Sequence, residues 1–331
     1  MGGQLSVLQQ SFPPRPNWGV NDIPDLTGKV ILVTGGNTGI GKETVKVRLG
    51  ILLPQWYETW LIERQQLLAH NAKVYLAARS AQKANEAIAE LKNEMGKQAI
   101  FLQLDLSDIP AIRKSAQEFL SKESQLHVLI NNAGVMMSPK EQVTAQNYDM
   151  QFGTNVVGHW LLTELLLPAL FAATDAAPFH EKARVVTVSS TVIYLTTGLD
   201  FDAFADGPKR TQYSKLELYN KSKFGNVVVA RELARRYGDK IVSTSLNPGS
   251  IRTDLLRHQP GWQSAIVHWM MYPVAYGALT QLYCATAPSA ADANGKFFIP
   301  WARLGEPNKA ALDPQVGERL WSWLENETKK H

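Results

Sequence analysis

Tyr219 and Lys223 stand four residues apart in the segment Leu218 to Tyr237, whose apolar residues recur at helical spacing, so the two side chains share one helix face. A phenol ionises near pH 10, too high for proton transfer near neutrality, and an ammonium group beside it favours the ionised form. The pair is therefore a candidate general acid and base. Spacing alone proves little in a chain with ten tyrosines. Position adds weight, because the pair follows the run Arg184 to Ser189, which reads as a strand and ends in Ser189-Ser190. The Ser190 hydroxyl at that strand end can hydrogen-bond an oxygen on which negative charge develops.

A second group of residues could hold a nucleotide. Lys29 to Thr34 reads as a strand and runs into Gly35-Gly36-Asn37-Thr38-Gly39-Ile40-Gly41, where a helix opens. Glycines at 35, 39 and 41 allow a tight turn and let backbone N–H groups and the helix N-terminus approach a pyrophosphate without obstruction by Cβ atoms. The spacing is G-x-x-x-G-x-G rather than G-x-G-x-x-G, and the strand before and helix after it carry the reading. After the second strand, Lys73 to Ala78, an enzyme for NAD(H) usually places a carboxylate for the ribose 2′-hydroxyl, but this chain has Arg79. A guanidinium there pairs with a 2′-phosphate, so NADP(H) is expected over NAD(H). The third strand ends in Asp105-Leu106, beside the expected adenine. The fourth ends in Asn131-Asn132-Ala133-Gly134, small and amide residues where the sheet must pass close to the ligand. Singly, each of these could be an ordinary turn or a solvated charge.

The elements that must position these residues follow from short β-branched runs alternating with helical patterns: Lys29 to Thr34, Lys73 to Ala78, Ile100 to Asp105, His127 to Ile130, Arg184 to Ser189, Ile241 to Leu246 and Lys296 to Ile299. Seven strands separated by helices predict an α/β fold, a doubly wound parallel sheet covered on both faces, in one domain from 28 to 331. Residues 1–27, with Phe12-Pro13-Pro14-Arg15-Pro16, read as an extended arm, and Asp313-Pro314 opens a terminal helix with Leu320, Trp321 and Leu324 on one stripe.

Composition sets limits. The net charge of +4 is spread over 34 basic and 30 acidic residues without a like-charge run, so no nucleic-acid partner is expected. The single cysteine, Cys284, excludes a disulfide framework and fits a reducing, cytoplasmic setting. The seven histidines show no ligand spacing, so no metal site is expected. The richest apolar stretch, Val156 to Ala173, is interrupted by His159, Thr163 and Glu164 and reads as a core helix rather than a membrane span. The start, Met1-Gly2-Gly3-Gln4-Leu5-Ser6, fits the pattern for acylation at Gly2, a reversible peripheral membrane contact, but the pattern is short and permissive and an unmodified tail is the expectation.

Taken together, the glycine turn, Asn131-Asn132-Ala133-Gly134, Ser190, Tyr219-x-x-x-Lys223 and Asn247-Pro248-Gly249 resemble the short-chain dehydrogenase/reductase family over about Gly28 to Pro300, and within it the retinol-dehydrogenase-like and fungal branch. The resemblance implies Tyr219 as general acid in reduction and base in oxidation, with Lys223 binding the nicotinamide ribose and lowering the tyrosine pKa. It favours Ser190 over Ser189 for polarising the carbonyl. It makes Asn155 the holder of a proton-relay water, and Pro248, Gly249, Ile251 and Thr253 part of the loop around the nicotinamide carboxamide.

Three departures bear on substrate and chain. Ser190 and Tyr219 are 29 residues apart, longer than the family pattern, which implies an inserted loop over 191–216 beside the pocket and a larger substrate. Ile251 to Tyr276, rich in apolar and aromatic residues, falls where the family places a mobile substrate lid. It suits an apolar small molecule, with a homodimer contact or plain core as the rival readings. The 37 positions from Gly41 to Ala78 exceed the about 20 that the first helix and its return need, and the surplus is Val47 to Gln65. Its removal would set Val45, Leu67 and Leu68 on one helical face. A retained intron that stays in frame and a genuine surface excursion are the two explanations. A carbonyl reductase or alcohol dehydrogenase is the expected activity; a nucleotide-binding regulatory protein of the same fold without turnover is the alternative.

Overall fold

The computed structural model describes residues 10–45, 67–178, 181–251 and 271–331. Val47 to Gln65, Thr253, most of the 251–276 loop and Gly2 lie outside the described residues. Several strands are buried along their whole length without alternation, as expected when both sheet faces are covered, among them β1 (Val30–Thr34), β5 (Ala183–Val188) and β6 (Ile241–Leu246). With β2 (Lys73–Ala78), β3 (Ile100–Gln103), β4 (Val128–Asn131) and β7 (Phe297–Ile299), they pair in parallel in the order β3-β2-β1-β4-β5-β6-β7.

The sheet has eight strands rather than seven. After β7 the chain turns back at Pro300–Ala302 and adds β8 (Arg303–Gly305), antiparallel, with Phe298 opposite Leu304. Three partly exposed residues with no apolar period give no strand signal, so the pairing comes from the hairpin connection alone.

One face is covered by α1 (Gly39–Val45), α2 (Ala81–Met95) and α6 (Val274–Thr286), the other by α3 (Ile109–Lys122), α4 (Met150–Ala176), α5 (Lys215–Tyr237) and α7 (Pro314–Lys329). Each face has its own apolar cluster, and Val45, Leu67 and Leu68 are all buried in the cluster beneath α6. Helix α4 is long and apolar enough to cross a bilayer, but its residues Trp160, Leu162, Leu166 and Leu170 are packed inside the core. Its apolar character is explained by burial against β4, α3 and α5.

Strand order reverses between β1 and β4, and the carboxyl ends of the strands there form the crevice in which ligands bind in such sheets. Two further segments reach that edge. Residues 191–216 carry short helical turns at Thr191–Leu195, Phe201–Ala203 and Pro208–Thr211. They are stitched to the start of α4: Asp149 N–H donates to Phe204 O at 2.8 Å, Phe152 stacks on Phe204 at 3.4 Å, and the buried Arg210 guanidinium lies 3.7 Å from Asp149. Residues 10–27 run against the α6 face, with Trp18 edge-on to Tyr283 and Val20, Ile23 and Leu26 in the core.

Candidate active site

The glycine turn owes its shape to close backbone approach. Gly35 has φ +67° and donates its N–H to Ala77 O at 2.8 Å. At Gly41, a Cβ atom would lie 2.4 Å from Gly35 O and 2.5 Å from Asn132 Nδ2, so only glycine lets α1 start this close to β1 and β4. Asn132 completes the contact by donating from Nδ2 to Thr34 O at 2.9 Å. Asn37, Thr38, Gly39 and Ile40 follow the turn into α1, and Gly277 of α6 packs on Ile40. Arg79 is exposed just past β2, and the carboxylates nearest in sequence stand no closer than Glu86. Asp105 holds a local turn, accepting from Ser107 N–H at 2.9 Å and from its hydroxyl at 2.6 Å. Leu106 is buried against Gly158, where a Cβ would meet Leu106 O at 2.4 Å.

Asn155 is fully buried in α4, within a stretch of wide π-type turns over Gly153–Gly158. Such turns recur at functional sites because they turn side chains out of the regular α-helical register. The Asn155 side chain accepts from Val135 N–H at 2.9 Å and donates to Val135 O and Ser222 Oγ, each at 3.0 Å. It thereby fixes the loop after Gly134 against α5. A Cβ on Gly134 would approach Asn155 Oδ1 at 3.1 Å and Lys223 Nζ at 3.6 Å, so Ala133-Gly134 brings the β4 end beside both side chains.

Ser189 and Ser190 are separated by what they bond. Ser189 Oγ donates to the Lys223 backbone carbonyl at 2.7 Å and is buried, so it ties β5 to α5. Ser190 is only partly buried, accepts weakly from Val192 N–H at 3.4 Å, and hydrogen-bonds Tyr219. Helix α5 opens with a capping box in which Ser214 and Glu217 satisfy each other's backbone N–H groups, which sets its start four residues before Tyr219.

Tyr219 and Lys223 are both buried, with Lys223 Nζ 6.0 Å from the phenol ring centre. Lys223 Nζ donates to Val188 O at 2.9 Å, an acceptor it shares with Asn226 Nδ2 at 3.1 Å. Burial pushes the Tyr219 hydroxyl up to about 12, against a hydrogen bond with Ser190 that pulls it down. Burial also pushes the Lys223 ammonium down to about 8. In this arrangement the lysine charge is spent on a carbonyl, and the tyrosine is held in its protonated, donor-competent form.

At the end of β6, Pro248 and Gly249 make a turn in which Gly249 has φ +95° and packs on Pro300 and Trp301. Ile251 is buried and bridges Tyr272, and Trp301 lies edge-on to Tyr272 at 5.0 Å.

One residue at this edge had no role in the sequence reading. His159 is buried between Thr34 and Asn155, with Nδ1 3.0 Å from Asn155 O and Nε2 2.9 Å from Thr34 Oγ1. A carbonyl only accepts, so Nδ1 carries the hydrogen and Nε2 takes one from Thr34. The Thr34 oxygen in turn accepts from Asn132 N–H at 3.0 Å and Ala133 N–H at 2.9 Å. Burial pushes His159 down to about 4, so the ring is neutral in this network. The position of His159 four residues after Asn155 was the available signal.

Comparison with known proteins gives a consistent grouping. The family model for short chain dehydrogenases matches residues 64–196. A short-chain dehydrogenase/reductase of Armillaria gallica is 55% identical over the whole of both chains. Retinol dehydrogenase 12 of Homo sapiens is 36% identical, covering 90% of this chain and 85% of its own length. The crystal structure of an uncharacterized protein from Mycobacterium Paratuberculosis superposes with a TM-score of 0.66 at 26% identity, covering 95% of this chain and 98% of the other.

Proposed function

We propose a function for this chain from one premise: it belongs to the short-chain dehydrogenase/reductase family, oxidoreductases that act on small molecules with a nicotinamide cofactor. Within that family we read it as an NADP(H)-dependent enzyme that interconverts an aldehyde or ketone and its alcohol on an apolar small molecule. The observation that carries the reading is the convergence of Ser190, Tyr219, Lys223 and Asn155 at the carboxyl edge beside the glycine turn.

The residues present fit the cofactor. The turn is closed to side chains at Gly41 and tight at Gly35 and Gly36, and a chain passing from strand into α1 in this way offers backbone N–H groups and a helix start to a pyrophosphate. Asn37, Thr38 and Ile40 would line that place, and Asp105, Leu106, Asn132, Ala133 and Gly134 the adenine and ribose side. Pro248, Gly249, Ile251 and Thr253 would flank the nicotinamide. Arg79, exposed at the β2 end, supports a 2′-phosphate and so NADP(H). When bound, the cofactor supplies a hydride in reduction and takes one in oxidation.

The chain's own residues do the rest. Ser190 donates a hydrogen bond to the carbonyl oxygen as negative charge develops there. Tyr219, protonated across the neutral range, hands its phenolic proton to that oxygen in reduction and takes it back in oxidation. Lys223, ammonium at neutral pH, holds the cofactor ribose and stands by as the next proton source. Asn155 keeps the β4 loop and α5 in register around them. Leu195, exposed in the 191–216 segment, and Leu216, exposed in the first turn of α5, offer apolar surface that supports an apolar substrate. The proposal includes a cytoplasmic setting, which the single buried thiol, Cys284, fits. A nucleotide-binding protein without turnover would be expected to lack the tyrosine or the lysine, and both stand in place.

The test is NADPH oxidation against a panel of aldehydes and ketones, with Tyr219→Phe as the control variant. The variant should lose turnover and keep NADPH binding, because only the reacting hydroxyl is removed. Full activity in Tyr219→Phe would overturn the mechanism.

A further inference from the structure

The segment before the first strand reaches the catalytic edge. Gln10 is 1% exposed, and both ends of its amide are engaged. Its Oε1 accepts from Asn247 Nδ2 at 2.9 Å, and its Nε2 donates to Tyr194 OH at 3.1 Å. Tyr194 OH donates onward to Glu306 O at 2.5 Å. Asn247 follows β6 directly before the Pro248–Gly249 turn, and its Oδ1 accepts from Gly249 N–H at 3.1 Å. Tyr194 lies in the helical turn Thr191–Leu195 that Ser190 caps.

These contacts have a directional consequence. A buried amide must have donor facing acceptor at both ends, or it forfeits a hydrogen bond that water no longer supplies. If Asn247 were flipped, its NH₂ would face the Gly249 N–H, donor against donor. Gln10 Oε1 is what rewards the orientation that holds Gly249, and Tyr194 is what holds Gln10 in place. The anchoring is not local: 237 residues separate Gln10 from Asn247 and 184 separate it from Tyr194. Downstream of Gln10 the arm is tied along the sheet through Trp18 against Tyr283, and through Leu26, whose N–H donates to His70 O at 2.7 Å.

We propose that the arm from Gln10 onward supports the active site and that Gln10 is a positioning residue, setting the Pro248–Gly249 turn through Asn247 while pinning the Ser190 loop through Tyr194. The inference rests on the reading of that turn as part of the cofactor-binding loop. It makes cofactor affinity depend on a residue outside the glycine turn and outside the sheet.

The experiment is a fluorescence titration of NADPH with full-length protein, alongside kcat and KM. Gln10→Met keeps chain length and volume but removes both hydrogen bonds, and should weaken NADPH binding about tenfold, the worth of a buried hydrogen bond that orients a polar group. In an Asn247→Ala background the same substitution should change the affinity no further, because the group it acts through is gone. Tyr194→Phe, which removes one hydroxyl and keeps the ring, should weaken NADPH binding in the same direction by a smaller factor. Wild-type NADPH affinity in both Gln10→Met and Tyr194→Phe overturns the inference. So does a Gln10→Met effect that is as large with Asn247→Ala as without it, which would mark a merely structural role. If Tyr219→Phe is inactive while these variants bind as wild type, the inference fails alone. If the unaltered protein binds no NADPH, the functional reading falls and takes the inference with it.

Discussion

The two flanks of the sheet at its carboxyl edge are built in opposite ways. On the β1–β3 flank the site is made by leaving side chains out: Gly35 and Gly41 let backbone meet backbone, Asp105 is held in a local turn, and Arg79 stands in solvent. On the β4–β7 flank it is made by burying polar side chains. Asn155, His159, Tyr219, Lys223 and Asn247 are all 6% exposed or less and are hydrogen-bonded to backbone or to neighbouring side chains. The difference follows from what each flank must do. A pyrophosphate needs room and N–H groups, whereas proton transfer needs titratable groups whose environments shift their pKa values.

Two substitutions test that contrast most strongly. Gly41→Ala should abolish NADPH binding and lower stability by about 3 kcal/mol, because the new Cβ would meet a backbone oxygen at 2.4 Å and force the backbone to shift. Chemical denaturation and an NADPH titration read the two effects; wild-type values for both would mean that the flank does not depend on missing side chains. On the other flank, Lys223→Met should abolish turnover yet raise stability at pH 7 by about 3 kcal/mol. The folded-state lysine is pushed from 10.5 to about 8, so its burial penalty is fully present below pH 8 and fades as pH rises toward 10.5. Val188 O keeps Asn226 as its partner in the variant. Unfolding midpoints at pH 7 and above pH 9 check the sign, and a variant less stable at pH 7 would show that the buried charge is compensated.

The same contrast explains what could be read from the sequence. The glycine turn is local: strand, glycines and helix follow one another within a dozen residues, so its place at the β1 end was legible, as were the seven parallel strands and the Tyr219–Lys223 helix. β8 was not, since Arg303-Leu304-Gly305 has no apolar period and pairs only because the chain turns back on β7. The choice between Ser189 and Ser190 depends on which hydroxyl the Lys223 carbonyl captures, a contact across 34 residues. The π-type turns at Gly153–Gly158 leave no mark in an otherwise ordinary apolar helix. Gln10 read as part of a tail because its partners lie more than 180 residues away.

A smaller effect is expected where the first flank uses a charge. Arg79→Asp removes an exposed guanidinium and supplies the carboxylate that a ribose 2′-hydroxyl would use. Preference should move from NADPH toward NADH by about 1.5 to 3 kcal/mol, the worth of a charge-assisted hydrogen bond. The ratio of kcat/KM for the two cofactors measures it. An unchanged ratio would place the 2′-phosphate elsewhere, and the NADP(H) reading would lose its support.

The smallest effect at neutral pH is expected where the flanks join. His159 takes the Thr34 hydroxyl hydrogen on one side and gives its own to Asn155 O on the other, so it links the end of β1 to the turns that hold Asn155. In His159→Leu, Thr34 Oγ1 still reaches Ile130 O at 3.3 Å, so part of the network survives and the loss at pH 7 should be about 1 to 2 kcal/mol. The pH dependence separates a hydrogen-bonding role from simple packing. The ring titrates near 6.5 when unfolded and near 4 when folded, so the unfolded chain binds the proton first and the wild type loses stability as pH falls from 6.5 to 4. The leucine variant has no such loss, and the gap between the two proteins should therefore close over that window. Glu164, pushed up to about 7 by burial, has the opposite slope, but it is present in both proteins and cancels in the difference. Denaturant titrations of both proteins from pH 7 down to pH 4 give that difference directly. A gap that stays constant across the window would mean that His159 is not the buried neutral link between the two flanks.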